Sequence, residues 1–389
     1  MQDRTRMLIV TSFTLLASVL VWFNYSAVLP QIVDAWELSG LRAGVIFSAF
    51  QAGYLVTIVP MGMAADRYSA RWTMSIGAVG TGAASLAFAL VATGFLSGTF
   101  LRFVSGLFMA GVYVPGMRFL SDWYPSAIRG RAIGLYVGTF SLASGLSFLL
   151  AAGVAAAVDW QTAIAVTSVG AIAVGPLMFL LTRDKPGAAR AEGGFDLSVL
   201  RNRDYLLAVG VYSGHNWELF GTRNWIQAFL VTTPAVVAAG GTAVAGTLTG
   251  LMMAIGGLGN AIGGWFSDRV GRYRTIGLAL AASALFSITF GSLGWLPLPF
   301  LAALLLIYGV AITMDSAPTS TAITEIVDDE HMGTALSMQS LLGFTVTLVS
   351  PVVFGAALDA FGYPVAFPTL AIGSVFAIGA VMVLARRVG

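Results

Sequence analysis

The segment Gly62 to Arg71, Gly-Met-Ala-Ala-Asp-Arg-Tyr-Ser-Ala-Arg, returns 202 residues later as Gly264 to Arg274, Gly-Trp-Phe-Ser-Asp-Arg-Val-Gly-Arg-Tyr-Arg. Each copy follows a long apolar run, so the chain reads as two related halves. The correspondence continues at nearly constant interval, with Ala43-Gly44 answered by Ala245-Gly246, Pro115 by Pro318, Asp122 by Glu325 and Gly130 by Gly333. Duplicated halves that are each too apolar for a soluble domain are the mark of a membrane protein built from structural repeats, and point to transport.

Composition sets where the halves must sit. Of 389 residues 57% are hydrophobic and only 10% charged, and the mean hydropathy is +0.85, which excludes an ordinary soluble surface. Apolar stretches of about 20 residues cross a hydrocarbon layer. They are read near 7–30, 43–64, 73–94, 98–120, 132–157, 161–182, 205–231, 244–266, 275–295, 299–326, 333–358 and 363–385, which makes twelve spans, six per half. The expected fold is an all-α membrane protein of twelve transmembrane helices in two pseudo-symmetric six-helix bundles, 1–182 and 205–389, joined by a cytoplasmic linker at 183–204. Continuous rather than alternating apolarity argues against transmembrane strands. The first span lacks a small-residue cleavage site and is read as retained. The chain has no cysteine, hence neither a disulfide framework nor a thiolate metal site.

Short cytoplasmic loops accumulate Lys and Arg. Starting inside, the twelve spans place sixteen of the twenty basic residues on the cytoplasmic side and only Arg42 in an outer loop, leaving Arg102, Arg118 and Arg223 within spans. The net charge of +2 therefore records orientation, with no inference toward nucleic acid. Both termini are expected in the cytoplasm, and the protein is expected to be a monomer integral to a bacterial-type inner membrane. Glycine is abundant, 46 residues, and is read mainly as a device for close helix approach. Pro115 and Pro318 are read as bends in a matched pair of helices.

The two loop copies, the six-plus-six plan and the central linker together resemble the major facilitator superfamily of secondary transporters. Its loop signature is matched by Gly62, Asp66, Arg67 and Arg71, with Ser69 and Ala70 where Gly and Arg are usual, and more fully by Gly264, Asp268, Arg269, Gly271 and Arg272. The resemblance implies that these residues, with Asp122 and Glu325 as third members, gate the transporter at its cytoplasmic face. A second signature is approximated by Arg102-Phe-Val-Ser-Gly106, whose arginine the family associates with proton transfer. A Gly-Pro pair associated with antiporters is absent from 134–153, which favours uptake or symport over drug–proton exchange.

Ionisable side chains inside a span are costly and mark function by default. The seventh span is richest in them: His215, Asn216, Glu218, Thr222, Arg223 and Gln227 fall on two adjoining stripes and are expected to form one broad polar face toward a central cleft. Glu218 and His215, three residues apart, are expected to interact and to exchange protons; mutual structural satisfaction is the alternative. Asp315 lies ~18 Å from the cytoplasmic end of the tenth span by helical rise and is expected to pair with Arg223, or to bind a coupling proton or a substrate amine. Arg118 is read as an anchor or a substrate-attracting charge. Further candidate lining residues are Asn24, Tyr25, Gln51, Tyr54, Tyr136, Asn260, Tyr308 and Gln339. The expected partners are a small-molecule substrate, protons and the lipid bilayer, with no cofactor. The leading reading is an alternating-access carrier of a small organic anion, proton-coupled through Glu218, His215, Asp315 and Arg102. The competing reading is a proton-driven exporter of drug-like compounds. No Walker loop, nucleophile elbow or metal pattern supports an enzyme, since His215 and His331 are too sparse for a metal site, and no signalling domain supports a sensor.

Overall fold

The computed structural model describes residues 2–185, 197–328 and 332–388, so His331 lies outside the described residues. The described chain is helical throughout. The first half comprises α1 (Gln2–Ala27), α2 (Leu29–Trp36), α3 (Gly40–Arg67), α4 (Ala70–Val91), α5 (Phe95–Met109), α6 (Tyr113–Trp123), α7 (Ser126–Ala157) and α8 (Trp160–Leu181). The second comprises α9 (Arg203–Leu230), α10 (Pro234–Ala239), α11 (Thr242–Val270), α12 (Arg272–Thr289), α13 (Leu298–Ala311), α14 (Ser316–Ile326), α15 (Met332–Thr345), α16 (Ser350–Phe361), α17 (Tyr363–Ala366) and α18 (Pro368–Val388).

Among the described residues, eleven helical stretches are long and apolar enough to cross a membrane. The one missing from the expected twelve is α9, which at 28 residues has the length but not the apolarity. Its burial explains how it is tolerated. From Glu218 to Leu230 every residue of α9 is buried, three and a half turns with no side left for lipid. Helix α1, the first of the other half, is buried almost as completely from Thr14 to Ala27. The first helix of each half is thus its central post.

The fourth and tenth spans are each broken. Helices α5 and α6 are separated at 110–112, and α13 and α14 at 312–315. Both interruptions are runs of tight turns, with Gly111 N–H donating to Phe108 O and Val112 N–H to Met109 O, and with Met314 N–H donating to Ala311 O and Ser316 N–H to Thr313 O. The repeated prolines explain their position. Pro115 and Pro318 have no N–H to offer the carbonyls of Gly111 and Met314 four residues earlier, so the α ladder cannot run through either point. Tyr136 Oη on α7 braces the first break, donating to the carbonyls of Val112 (3.0 Å) and Tyr113 (3.2 Å).

Contacts group the chain into two compact units, the first drawn from Met1–Leu38, Ala49–Glu192 and Thr242–Gly250, the second from Ser39–Ser48, Gly193–Gly241 and Leu251–Gly389. The beginnings of α3 and α11, equivalent in the repeat, are therefore exchanged relative to a division at the linker. The glycines account for it. In the second unit a Cβ on Gly44 would strike the Pro351 carbonyl, and one on Gly355 the Gly40 carbonyl. In the first unit a Cβ on Gly246, the repeat partner of Gly44, would strike Ala152. Asp359 seals the former crossing by accepting from the Gly40 N–H (2.6 Å) and the Leu41 N–H (3.0 Å), two free donors at the start of α3.

Helix α11 also carries a glycine face against the broken tenth span. A Cβ on Gly263 would run into the Met314 carbonyl, and one on Gly259 into Thr313 Oγ1 and the Val310 carbonyl. Gly257, between turns, faces open space. We expect Gly263→Ala to lower stability by about 1–3 kcal/mol through backbone displacement, and Gly257→Ala to be neutral or slightly stabilising. Thermal unfolding of the two purified variants checks this, and equal midpoints would contradict it.

Candidate functional site

Two separate polar assemblies occupy the second unit, and α9 feeds both. The first lies at the break of the tenth span. His215 Nδ1 is 2.8 Å from Asp315 Oδ1, its Nε2 is 3.1 Å from Ser316 Oγ, and the Tyr212 ring stacks on the imidazole at 6.3 Å between centroids. Asp315 is the residue immediately before α14, so its carboxylate stands at the interrupted backbone, and it is 1% exposed. Oδ1 is engaged by the imidazole, whereas Oδ2 has no hydrogen-bond partner among the described residues. Asn216, also buried, sits beside Tyr212 against Gly343 of α15, where any Cβ would collide with the tyrosine ring.

The second assembly surrounds Glu218. Ser287 Oγ donates to Oε1 at 2.7 Å and Ser283 Oγ to Oε2 at 2.9 Å, Ser374 Oγ also bonds Oε2, and Tyr308 Oη lies 3.4 Å from Oε1. Tyr308 is itself tied to Ser287 (2.7 Å) and Thr222 (3.0 Å). These hydroxyls come from α12, α13 and α18, so Glu218 points into the interior of its own unit. Four hydroxyls fill the acceptor capacity of a carboxylate.

These positions correct three expectations. His215 and Glu218 share a helix but not an environment, because the imidazole turns to α14 and the carboxylate to α12 and α18. Asp315 pairs with His215 rather than with Arg223. The polar groups of α9 do not form one face: a helix enclosed on every side has no solvent direction for its polar residues to share, and His215, Glu218 and Thr222 turn to different neighbours. Arg223, 6% exposed, lies with its guanidinium 5.5 Å from the Phe220 ring centroid. Beside it, a cavity of ≈ 10 Å³ is bounded by Thr222, Met252, Gly256, Gly309 and Thr313, among others. That is about the volume one water requires.

The first unit has a counterpart to the Glu218 assembly. Asn24 Nδ2 donates to Ser85 Oγ (3.2 Å) and Thr167 Oγ1 (3.0 Å), and Ser168 Oγ donates to Ser85 Oγ (2.8 Å). Arg102 completes it, donating to the carbonyls of Val21 and Trp22, both at 3.0 Å, and lying over the rings of Phe50 (4.4 Å) and Tyr25 (5.5 Å). The contributing helices are the first, third, fourth and sixth spans, as they are around Glu218, and Ser287 follows Ser85 by the repeat interval of 202 residues. Sequence reading found the ions of these nodes but not their serines, which are too common in apolar helices to stand out. The repeat interval from Ser85 to Ser287 is the signal that could have found them.

Of the other candidates, Gln51 and Tyr54 are buried, the latter with its ring 5.0 Å from that of Trp22. Gln339 is buried on α15 and Asn260 half-buried on α11. Near the loop motif each unit carries ion pairing. Arg118 Nε donates to Asp66 Oδ1 at 2.7 Å and its NH1 pairs with Asp122, which makes it an anchor between the ends of the second and fourth spans. In the second unit Arg272 pairs with Glu325. Asp268 is exposed, and Arg269 stacks over Trp265 at 3.8 Å. Arg67 lies over Tyr68 at 5.7 Å. Arg71 donates to the Thr182 carbonyl at 2.8 Å. Gly62 and Gly264 have open space beside them, but Gly271, at φ +97°, holds a conformation that suits glycine. Ser69, which replaces that glycine in the first copy, is extended and caps α4, accepting from Trp72 N–H (3.1 Å) and donating to Asp184 (2.6 Å).

Comparison with known proteins agrees with this architecture. The family model of the Major Facilitator Superfamily matches residues 11–243 and 219–388. The hexuronate transporter of Bacillus subtilis is 25% identical over 380 residues, covering 90% of this chain and 87% of that protein. The D-galactonate transporter of Escherichia coli is 32% identical over 127 residues, 32% of this chain and 29% of that protein. Among solved structures, a bacterial homolog of the human lysosomal transporter Spinster, in an inward-facing and occupied conformation, superposes with a TM-score of 0.85 over 99% of this chain and 97% of that one, at 16% identity. Duplicated halves, paired broken spans, matching loop clusters and a family match across nearly the whole chain converge: this is a multi-pass membrane transporter, not an enzyme, and it belongs to the Major Facilitator Superfamily.

Proposed function

We propose that the chain is an alternating-access secondary transporter of a small organic anion, coupled to protons through the His215–Asp315 pair. The observation that carries the reading is the place of this pair: a buried imidazole and carboxylate meet where a helix is broken, with one carboxylate oxygen unengaged. Interrupted helices concentrate ion and substrate sites in transporters because free backbone groups and a deformable segment coincide there. With both imidazole nitrogens protonated the pair is net neutral, and with only one protonated a single negative charge is left in a dry environment, so proton occupancy changes what conformation the pair tolerates. Arg223, about two turns further along α9, supplies the fixed positive charge that favours an anionic cargo. The hexuronate and D-galactonate relatives support a carboxylate, specifically a sugar acid. The loop clusters around Arg118 and Arg272 serve as cytoplasmic gates, in line with the matching motifs.

Glu218 plays a different part in this reading. Its hydroxyl cage makes it the packing node of its unit, as Asn24 is in the other.

Two measurements test the assignment. In proteoliposomes, an inward-directed proton gradient is expected to drive accumulation of labelled galactonate or hexuronate. His215→Gln and Asp315→Asn are expected to abolish that accumulation while retaining substrate exchange. Wild-type transport that is indifferent to the gradient would contradict the coupling. Glu218→Gln is expected to keep gradient-driven uptake but to cost about 1.5–3 kcal/mol of stability, the range for hydrogen bonds to a charged group. Loss of coupling at unchanged stability would transfer the proton site to Glu218.

A further inference from the structure

At the outer surface of the second unit, where α9 begins and α18 ends, a cavity of ≈ 370 Å³ is lined by Arg203, Leu206, Leu207, Val383 and Arg387. It is far larger than the cavity beside Arg223 and differs from it in kind, with guanidinium groups at the rim and an aliphatic floor. Arg387 is held in place by its ion pair with Asp204, while Arg203 opens α9 as an exposed side chain. Two arginines against one aspartate leave the rim with one excess positive charge. The floor runs on as an exposed apolar strip along α18, with Ile372, Val375, Phe376, Met382 and Val383 each about half exposed or more, and with Leu206 of α9 beside its end. The spacing of these residues puts them on one side of the helix, which faces hydrocarbon in a spanning segment.

We infer that this cavity binds an anionic phospholipid. Its phosphodiester would sit between Arg203 and Arg387, and an acyl chain would lie along Leu206, Val383 and the α18 strip. The chemistry selects for this occupant on both counts. A guanidinium pair matches phosphate oxygens by geometry as well as charge, and basic pockets between helices at the end of a span are suited to lipid headgroups. A zwitterionic choline or ethanolamine lipid brings an ammonium to an already cationic rim. A soluble phosphate would use the rim and leave the aliphatic floor uncovered. The site lies at the ends of the first and last helices of the second unit, so a bound lipid ties together the two elements that also flank Glu218.

Native mass spectrometry of the detergent-purified protein tests this. Phosphatidylglycerol is expected to give a retained adduct that equimolar phosphatidylcholine does not displace. Arg203→Gln is expected to weaken retention about fivefold, in line with the usual effect of one basic residue at an anionic surface. Arg203→Lys keeps the charge and is expected to retain most of the binding, and Arg42→Gln, an exposed position in the first turn of α3, is expected to change nothing. The inference is overturned if phosphatidylcholine is retained equally, if Arg203→Gln binds as wild type does, or if glycerol phosphate binds as tightly as the lipid. The last result would mark a site for a free phosphate.

Discussion

A charge cannot face hydrocarbon, and this chain carries its intramembrane charges on buried stretches of its helices. Helix α9 is the least apolar of the spanning helices and among the most enclosed. Placing an ionised group in the bilayer centre costs about 2.5–3.5 kcal/mol even on insertion scales, so a helix with His215, Glu218 and Arg223 is stable only where neighbours supply partners on every side. That requirement makes α9 a central post, and it determines what the surrounding helices contribute: serines from α12 and α18, a tyrosine from α13, a carboxylate from the α13–α14 break.

Duplication repeats the solution with different residues. The first unit places an amide, Asn24, and a backbone-bound guanidinium, Arg102, among the hydroxyls of Ser85, Thr167 and Ser168. The second places Glu218 among Ser283, Ser287, Ser374 and Tyr308. Both nodes draw on the same four spans of the repeat, and both halves break the fourth of their spans ahead of a proline. Against that common background the His215–Asp315 pair has no equivalent in the first half, where the break is served by a neutral tyrosine hydroxyl, Tyr136. A scaffold held by matched nodes, with one ionisable pair at one break, separates the parts that hold the bundle from the part to which the proposed function assigns the proton.

Much of this is legible in the sequence, for identifiable reasons. The repeated loop, the six-plus-six plan and the paired proline bends depend on short-range patterns that survive in one dimension. The buried ions are visible because charge is rare in an apolar chain. Their partners are not. A helical wheel places His215 and Glu218 side by side and invites one polar face, yet a fully enclosed helix has no preferred face, and only tertiary packing decides that one turns to α14 and the other to α12 and α18. The glycine crossings of Gly44 with Pro351 and Gly246 with Ala152 are hidden likewise, because small residues carry no label for the helix they will meet. Ser69 shows the converse, a departure from the expected motif that the structure explains as a helix cap.

The proposed division between a closed node and a responsive pair can be tested directly because the chain contains no cysteine of its own. Single Ser→Cys substitutions change little in size, and labelling with a small water-borne thiol reagent in membranes reports access to each position. The account expects Ser287→Cys and Ser374→Cys, at the fully buried Glu218 node, to stay unlabelled across pH and in the presence or absence of substrate, and Ser316→Cys, beside His215, to label at a rate that changes with both. Equal labelling of all three, or access at the Glu218 node that tracks pH while Ser316→Cys stays inert, would contradict it.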